Sequence, residues 1–356
     1  MKTIIINGLW ICERQKITGI ERACRELIMN LDENLSGSKL NVYYVYYKNY
    51  PNIVVDPAKL KNIKPLGFDK SNRFMDRTRI IRKVLKEKKG ILCNMSLETI
   101  YAFKQIYFIY DIRPLETHFD NKQFKKGFKQ IIFKERPFIK YICTDSYYQR
   151  ERISKKLHFN KKKITVFYMG YEHISELVSD KGIFKKHPIL LEKPFYYSVG
   201  SVALHKNYRW ILNTAKNNPD SIFAIAGNVD PELSRDYNID PGSLKNVVYL
   251  GYVSDEESKA LMEKCAGFLH PSKYEGFGIP PLEALACGAK IAISNSTCLP
   301  EVYEDSAIYF DPDDYNVNIE ELFKNKVSSP EKILEKCSWK KSGLDFLHYL
   351  EEVADR

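Results

Sequence analysis

The sequence predicts an α/β protein with two domains, each built on a parallel β-sheet covered by helices. The chain has 356 residues, which is enough for two domains of ordinary size. Short β-branched or aromatic segments alternate with helical segments, as is typical of parallel sheets with helices on both faces. A charged, poorly periodic segment at residues 173–193 divides this alternation into two series, so we predict two Rossmann-like domains.

The first series defines an N-terminal domain at residues 1–172. Its strands are predicted at "KTIIIN", "LNVYYVYY", "GILCNMS", "QIYFIYD", "FIKYICTDS" and "KITVFYMG". The clearest helix is predicted over residues 18–31, with Thr18 as its N-cap. Apolar residues recur there at helical spacing: Ile20, Ala23, Cys24, Leu27 and Leu31.

The second series defines a C-terminal domain at residues 194–339, after a linker at 173–193. Strands are predicted at "PFYYSVGS", "SIFAIAGN", "VVYLGYV", "GFLHPS", "KIAISN" and "AIYFDP", and helices at 207–217, 254–265 and 281–287. Residues 340–356 are predicted as a final helix. We expect the two domains to face each other across a cleft, because open α/β sheets bind ligands at the carboxyl ends of their strands.

Composition indicates an ordinary globular protein that works in a reducing compartment. Hydrophobic residues make up 44% of the chain and charged residues 28%. There is no apolar run of about 18 residues that could cross a bilayer. The eight cysteines show no C-x-x-C spacing, which favours free thiols and a cytoplasmic location.

The charge is divided unequally along the chain. Residues 1–173 hold 35 Lys and Arg against 17 Asp and Glu, whereas the remainder holds 20 against 28. A basic half can attract an anionic ligand, an anionic membrane surface or nucleic acid, or it can simply be solvated. No RNP, KH or zinc pattern supports nucleic acid, so we expect no nucleic-acid partner.

The densest basic stretch, residues 70–89, mixes its charges with apolar side chains. These are Phe74, Ile80, Ile81, Val84 and Leu85. The stretch predicts either an interfacial helix on anionic lipid at the inner face of the membrane or a docked helix with one wet face.

The segment "HPSKYEGFGIPPLEALACG" at residues 270–288 carries the strongest chemical signal. Gly276 and Gly278 permit a tight turn and close approach of a ligand, and Pro280 suits the first turn of the following helix. A helix N-terminus offers unpaired amides to an anion such as phosphate. The flanking Glu275 and Glu283 can accept hydrogen bonds from sugar hydroxyls, or they can be a solvated surface pair.

This segment resembles the E-x7-E signature of the retaining GT-B glycosyltransferases of family 4. The match consists of E-G-F-G-I-P-P-L-E followed by A-L-A-C-G. "YYSVGSVALHKN" resembles the glycine-to-lysine element that opens the donor domain of that family, and "TGIER" resembles its N-terminal glycine loop. "CSWKKSGLDFLHYLEE" is similar to its final helix, which often returns to the first domain. The resemblance covers nearly the whole chain.

The resemblance implies a retaining, metal-independent hexosyltransferase without a cofactor. Its donor would be a nucleoside diphosphate sugar, and its acceptor a hydroxyl of a glycan or lipid-linked glycan in bacterial cell-surface polysaccharide synthesis (O-antigen, capsule or exopolysaccharide). The alternative function is noncatalytic binding of a nucleotide sugar or a nucleic acid. The sequence "DPDD" at 311–314 contains a D-x-D, which turn chemistry explains better than a metal site.

The family pattern also assigns candidate site residues. Glu275 and Lys206 are the catalytic candidates. Many relatives carry a histidine before the aspartate of "FIYDIRPLETHF", where this chain has Tyr110 and Asp111, our candidate acceptor or sugar contacts. The expected donor-binding residues are Gly19, Gly200, Ser201, Lys206, Asn207, Gly227, Glu275, Gly276, Phe277, Gly278, Ile279, Leu282 and Glu283.

Overall fold

The structure is a computed structural model that describes residues 2–71, 75–200, 203–227 and 244–356. The chain divides into two compact units. Unit 1 comprises residues 1–169 and 339–356, and unit 2 comprises residues 170–338.

Unit 1 contains a parallel sheet whose strands come from the predicted segments and one further segment. Its seven strands follow the order β3-β2-β1-β4-β5-β6-β7. No strand was predicted at β3, which begins at a charged residue and contains both Pro65 and Gly67. The strands are β1 (Lys2–Asn7), β2 (Leu40–Tyr47), β3 (Lys64–Phe68), β4 (Ile91–Asn94), β5 (Gln105–Phe108), β6 (Ile139–Thr144) and β7 (Ile164–Val166).

Helices surround this sheet. They are α1 (Gly19–Asn34), α2 (Asp76–Lys88), α3 (Arg113–Glu116), α4 (Lys122–Glu135) and α5 (Tyr147–Leu157). Thr18 is the N-cap of α1, as predicted, and its backbone amide donates to the Glu21 carboxylate at 3.1 Å. The helix continues three residues beyond the predicted end.

The basic stretch at 70–89 forms α2, which packs its apolar side inward. Ile81 and Val84 are buried in a core cluster with residues of β1 and β2. Arg82, Lys83 and Lys86 stay exposed. Of the two interpretations offered by the sequence, the docked helix with a wet face is the one observed, while Phe74 lies outside the described residues.

The C-terminal helix of the chain, α15, belongs to unit 1. It spans Trp339–Asp355. A Cβ atom added at Gly343 would lie 2.4 Å from the Cβ atom of Asn30, so the glycine lets α15 approach α1 closely.

Unit 2 contains a second parallel sheet, which confirms the predicted two-sheet α/β class. Its six strands follow the order β10-β9-β8-β11-β12-β13. They are β8 (Phe195–Val199), β9 (Ile222–Ala226), β10 (Val247–Gly251), β11 (Gly267–His270), β12 (Ile291–Ser294) and β13 (Ile308–Phe310).

The described helices of unit 2 include three in the segment predicted as a linker. Residues 173–193 are part of unit 2, and each of these three helices has a buried apolar residue: Ile174, Ile183 and Leu190. The helices are α6 (Glu172–Ser175), α7 (Gly182–Lys186), α8 (Ile189–Glu192), α9 (Tyr208–Asn217), α10 (Asp255–Lys264), α11 (Ile279–Ala286), α12 (Leu299–Tyr303), α13 (Ile319–Lys324) and α14 (Glu331–Lys336).

Candidate active site

The turn between β11 and α11 has the geometry that its glycines suggested. Gly278 is the N-cap of α11 with φ 90°, a left-handed conformation that favours glycine. A Cβ atom at this position would lie 2.8 Å from the Cδ2 atom of Leu299. The buried Tyr303 hydroxyl donates to the Gly278 carbonyl, and this hydrogen bond holds the turn against the protein interior. Pro280 lies in the first turn of α11, where its missing N–H costs nothing.

Three side chains meet at the carboxyl ends of the neighbouring strands β8 and β11. The Nζ atom of Lys206 donates to Oε1 of Glu275 at 2.7 Å. The Nε2 atom of His270, the last residue of β11, lies 2.8 Å from the same oxygen. The side chains of Glu275 and Lys206 are only 11% and 19% exposed, so this ion pair is largely shielded from water. The structure thus brings together the two catalytic candidates and adds a histidine.

The pKa shifts show how this cluster distributes its charge. Burial would raise the pKa of Glu275, but the Lys206 ammonium and the His270 hydrogen bond hold that pKa well below its ordinary value. Burial lowers the pKa of His270, although its hydrogen bond to Glu275 acts in the opposite direction. These shifts favour a Glu275 carboxylate that accepts a hydrogen bond from Nε2 of an uncharged His270 imidazole.

The backbone around Lys206 is tied to the loop that carries Glu275. The carbonyl of His205 accepts from the backbone amide of Lys273 at 2.7 Å and from the Ser272 hydroxyl at 3.1 Å. The side-chain amide of Asn207 donates to the carbonyls of Pro271 and Pro312 at 3.2 and 2.9 Å. Asn207 is buried, so its side chain positions the Lys206 turn.

Two predicted glycines lie at the ends of adjacent strands in this sheet. A Cβ atom added at Gly227, after β9, would lie 2.1 Å from the carbonyl oxygen of Gly200, after β8. Gly227 also has φ 128°, where side chains are strained. The hydroxyl of Tyr208 donates to the Gly200 carbonyl at 3.2 Å. Gly227 is therefore required for backbone packing at the carboxyl edge of the sheet, and Gly200 supplies the carbonyl against which it packs.

Glu283 has a buried histidine partner that the sequence analysis did not assign. The Nε2 atom of His173 lies 2.7 Å from Oε1 of Glu283, and the two side chains are 4% and 12% exposed. His173 is in α6, within the segment predicted as a linker. Residues 171–173 show no helical period or ligand-binding pattern from which this contact could have been predicted.

The remaining donor candidates in unit 2 differ in accessibility. Phe277 and Leu282 are buried, whereas Gly276 and Ile279 are partly exposed. Ser201 lies outside the described residues.

The candidates in unit 1 lie at the start of α1 and just after β5. Gly19 is exposed at the first residue of α1, and a Cβ atom there would meet nothing within 4 Å. The hydroxyl of Tyr110 lies 3.4 Å from Sγ of Cys24, and this tyrosine is buried. Asp111 accepts from the backbone amide of Arg113 at 2.9 Å, which is a local turn contact.

The D-x-D at 311–314 uses its carboxylates locally. Asp311 accepts from the backbone amide of Asp313 at 2.9 Å, and Asp313 pairs with Lys273. Among the described residues, no group of three or more His, Cys, Asp or Glu side chains is arranged to hold a metal ion.

The comparisons with known proteins identify the family. Residues 179–337 match the glycosyl transferases group 1 family. The chain is 27% identical over 270 residues to the O-antigen chain mannosyltransferase RfbU of Salmonella typhimurium, an alignment that covers 74% of this chain and 72% of the relative. Residues 179–337 form a glycosyl transferases group 1 domain.

Two further matches extend this identification. The glycosyltransferase is 50% identical over 66 residues to O-antigen chain mannosyltransferase B of Escherichia coli, which is 18% of this chain and only 17% of that relative. It also superposes on the crystal structure of a glycosyltransferase from Rickettsia africae with a TM-score of 0.71 and 14% identity, covering 99% and 98% of the two chains. The predicted GT-B class is thereby confirmed. Within the described ranges, none of the helices of the glycosyltransferase has the length and apolar character that spanning a membrane requires.

Proposed function

We propose that the chain transfers a hexose from a nucleoside diphosphate sugar to a hydroxyl of a glycan acceptor during bacterial cell-surface polysaccharide synthesis. The observation that carries this proposal is the buried Lys206–Glu275 ion pair at the carboxyl edge of the unit 2 sheet. Ionisable groups that are largely buried and perturbed by one another cluster at functional sites, and this edge is where α/β sheets bind their ligands. The two relatives named above are mannosyltransferases, so mannose is the first sugar to test.

Lys206 would stabilise the departing diphosphate. When the bond between C1 of the sugar and the β-phosphate oxygen breaks, negative charge grows on that phosphate. An ammonium group and the amides of the 276–278 turn would be preorganised donors for this charge. Glu275 would accept hydrogen bonds from the sugar hydroxyls, and Glu283 from the ribose hydroxyls.

The transfer would retain the anomeric configuration by attack on the same face that the phosphate leaves. The acceptor oxygen would form its bond to C1, and its proton would move to the departing β-phosphate. This route requires no nucleophilic side chain from the protein. The positive charge of Lys206 would supply the phosphate stabilisation that other glycosyltransferases take from a divalent cation, so we propose metal independence.

Donor turnover tests this function. GDP-mannose, UDP-glucose and other nucleotide sugars would first be screened by thermal shift, and the stabilising donors would then be assayed for hydrolysis or transfer. We expect Glu275→Ala and Lys206→Met to lower turnover by about 10²–10³. Wild-type turnover by both variants would refute the site, and the product's anomeric proton coupling would test retention. Turnover that depends on added cation after EDTA treatment would refute metal independence.

A further inference from the structure

The loop at residues 99–104 of unit 1 presents a phenylalanine to solvent. Phe103 is 76% exposed, and its ring has an edge contact with Phe138 at a centroid distance of 5.0 Å. Leaving a large aromatic side chain in water forgoes the stabilisation that its burial would give. A single exposed ring is common on protein surfaces, so it indicates an interaction surface only where further exposed rings and charges lie on the neighbouring elements.

Buried polar contacts hold this loop in its shape. Tyr101 and Lys104 have φ 55° and 60°, a left-handed conformation that is unfavourable for residues with a Cβ atom. The fully buried Glu135, at the end of α4, accepts from the amides of Ile100 and Tyr101 at 2.9 and 3.0 Å. These contacts fix a strained backbone whose tip is Phe103.

Basic side chains lie on the loop and on the two helices that contact it, α2 through Arg82 and α4 through Glu135. Arg82 of α2 donates to the Tyr101 carbonyl at 2.7 Å. Lys104 and Lys134 are exposed, and Phe133 on the last turn of α4 is 52% exposed. We call Arg82, Phe103, Lys104, Phe133 and Lys134 the Phe103 patch.

Neither the loop nor α4 presents an exposed acidic side chain that would offset the positive charge of the Phe103 patch. Residues 99–104 contain no acid, and α4 carries five lysines with Glu135 as its single acidic residue. Because Glu135 is buried and bound to backbone amides, the surface at the end of α4 presents positive charge and aromatic rings together.

We propose that the Phe103 patch docks on an anionic phospholipid surface. Apolar side chains enter the boundary between headgroups and acyl chains, while lysine and arginine pair with anionic headgroups. A bilayer surrounds a protruding ring on all its open sides. Stacking on nucleic acid bases instead needs platforms of successive open ring faces, and Phe103 is a single tip that already contacts Phe138. The proposed surface is thus centred on the loop between β4 and β5, to which α2 contributes only Arg82.

Vesicle sedimentation tests this inference on the full chain. Wild-type protein should sediment with phosphatidylcholine vesicles that contain phosphatidylglycerol and remain in solution with phosphatidylcholine alone. Phe103→Ser should lower partitioning about tenfold, since it removes the inserted ring. Lys134→Gln should lower it about fivefold, and only on the anionic vesicles. The matched control is Phe124→Ser, which removes a ring with 51% exposure from the opposite end of α4 and should bind like wild type.

A fluorescent reporter separates insertion from general charge attraction. We expect the emission of Phe103→Trp to shift to the blue on anionic vesicles and to be quenched by brominated acyl chains, while Phe124→Trp should show neither effect. Equal thermal unfolding temperatures for the variants would verify folding. Three results would each overturn the proposal. The wild type could fail to bind anionic vesicles, or Phe124→Ser could lower vesicle binding as much as Phe103→Ser. The third is binding to RNA in place of vesicles, with a dependence on Phe103.

Discussion

Replacing Lys206 by methionine should leave Glu275 as a largely buried carboxylate that has lost its ammonium partner but still accepts a hydrogen bond from the imidazole of His270. Removing one partner of a buried ion pair costs about 3–5 kcal/mol, because the other charge stays desolvated. The side chain of Lys206 retains 19% exposure and His270 still donates to Glu275, so we expect a loss at the lower end, about 3 kcal/mol. Methionine keeps the length of the side chain, which limits the effect of packing.

The loss should depend on pH. In the wild type the pKa of Glu275 is held below its ordinary value, so the ion pair stabilises the fold above the unfolded-state pKa of about 4.3 and is lost as pH falls through the folded-state pKa. In the variant, burial dominates and the folded-state pKa of Glu275 should rise. Its carboxyl then takes up a proton as pH falls, and the deficit relative to wild type should be larger at pH 8 than at pH 5.

Urea titration followed by circular dichroism would measure this difference. The matched control is Lys273→Met in the loop that carries Glu275, since Lys273 pairs with Asp313, whose side chain is 68% exposed. Exposed ion pairs contribute about 1 kcal/mol or less, so this variant should unfold almost like wild type. Equal stability of Lys206→Met and wild type at pH 8, or a deficit that is the same at both pH values, would refute the reasoning.

Three further predictions concern other parts of the molecule. Gly227→Ala should impair donor binding and lower the melting temperature, because its Cβ atom would lie 2.1 Å from the Gly200 carbonyl; Gly19→Ala, where a Cβ atom meets nothing within 4 Å, is the control for melting temperature. His270→Gln, which can still donate to Glu275, should retain more turnover than His270→Phe, and equal turnover of the two variants would exclude a positioning role. Burial raises the pKa of Glu98 to about 7 despite the opposing charge of Arg77, so its contribution to stability is full below about pH 4.5 and is lost as pH rises through 7. Glu98→Gln should therefore gain stability relative to wild type between pH 5 and pH 8 in urea titrations, by about 1–3 kcal/mol, and a constant difference would contradict the assignment.

Local patterns were sufficient to predict the two sheets and the turn at residues 275–278. Strands and helices follow from the period of apolar residues along the chain, and a glycine that needs φ 90° is recognisable beside the prolines that start a helix. Strand β3 was missed because Pro65 and Gly67 disfavour a strand by propensity, whereas pairing with β2 stabilises it. The segment 173–193 lacked a clear period since each of its short helices buries only one or two residues.

The sequence by itself determined the residue types of the candidate site: a lysine after one strand, two glutamates around a glycine turn, and glycines at strand ends. Only the tertiary structure decided the partners of the two glutamates, because Lys206 and Glu275 are 69 residues apart and His173 and Glu283 are 110 apart. It likewise gave Asn207 its positioning contacts with Pro271 and Pro312, and it left Phe103 exposed although the residue type favours burial. Contacts of this kind depend on which strands become neighbours in a parallel sheet, and the spacing of residues along the chain does not encode that order.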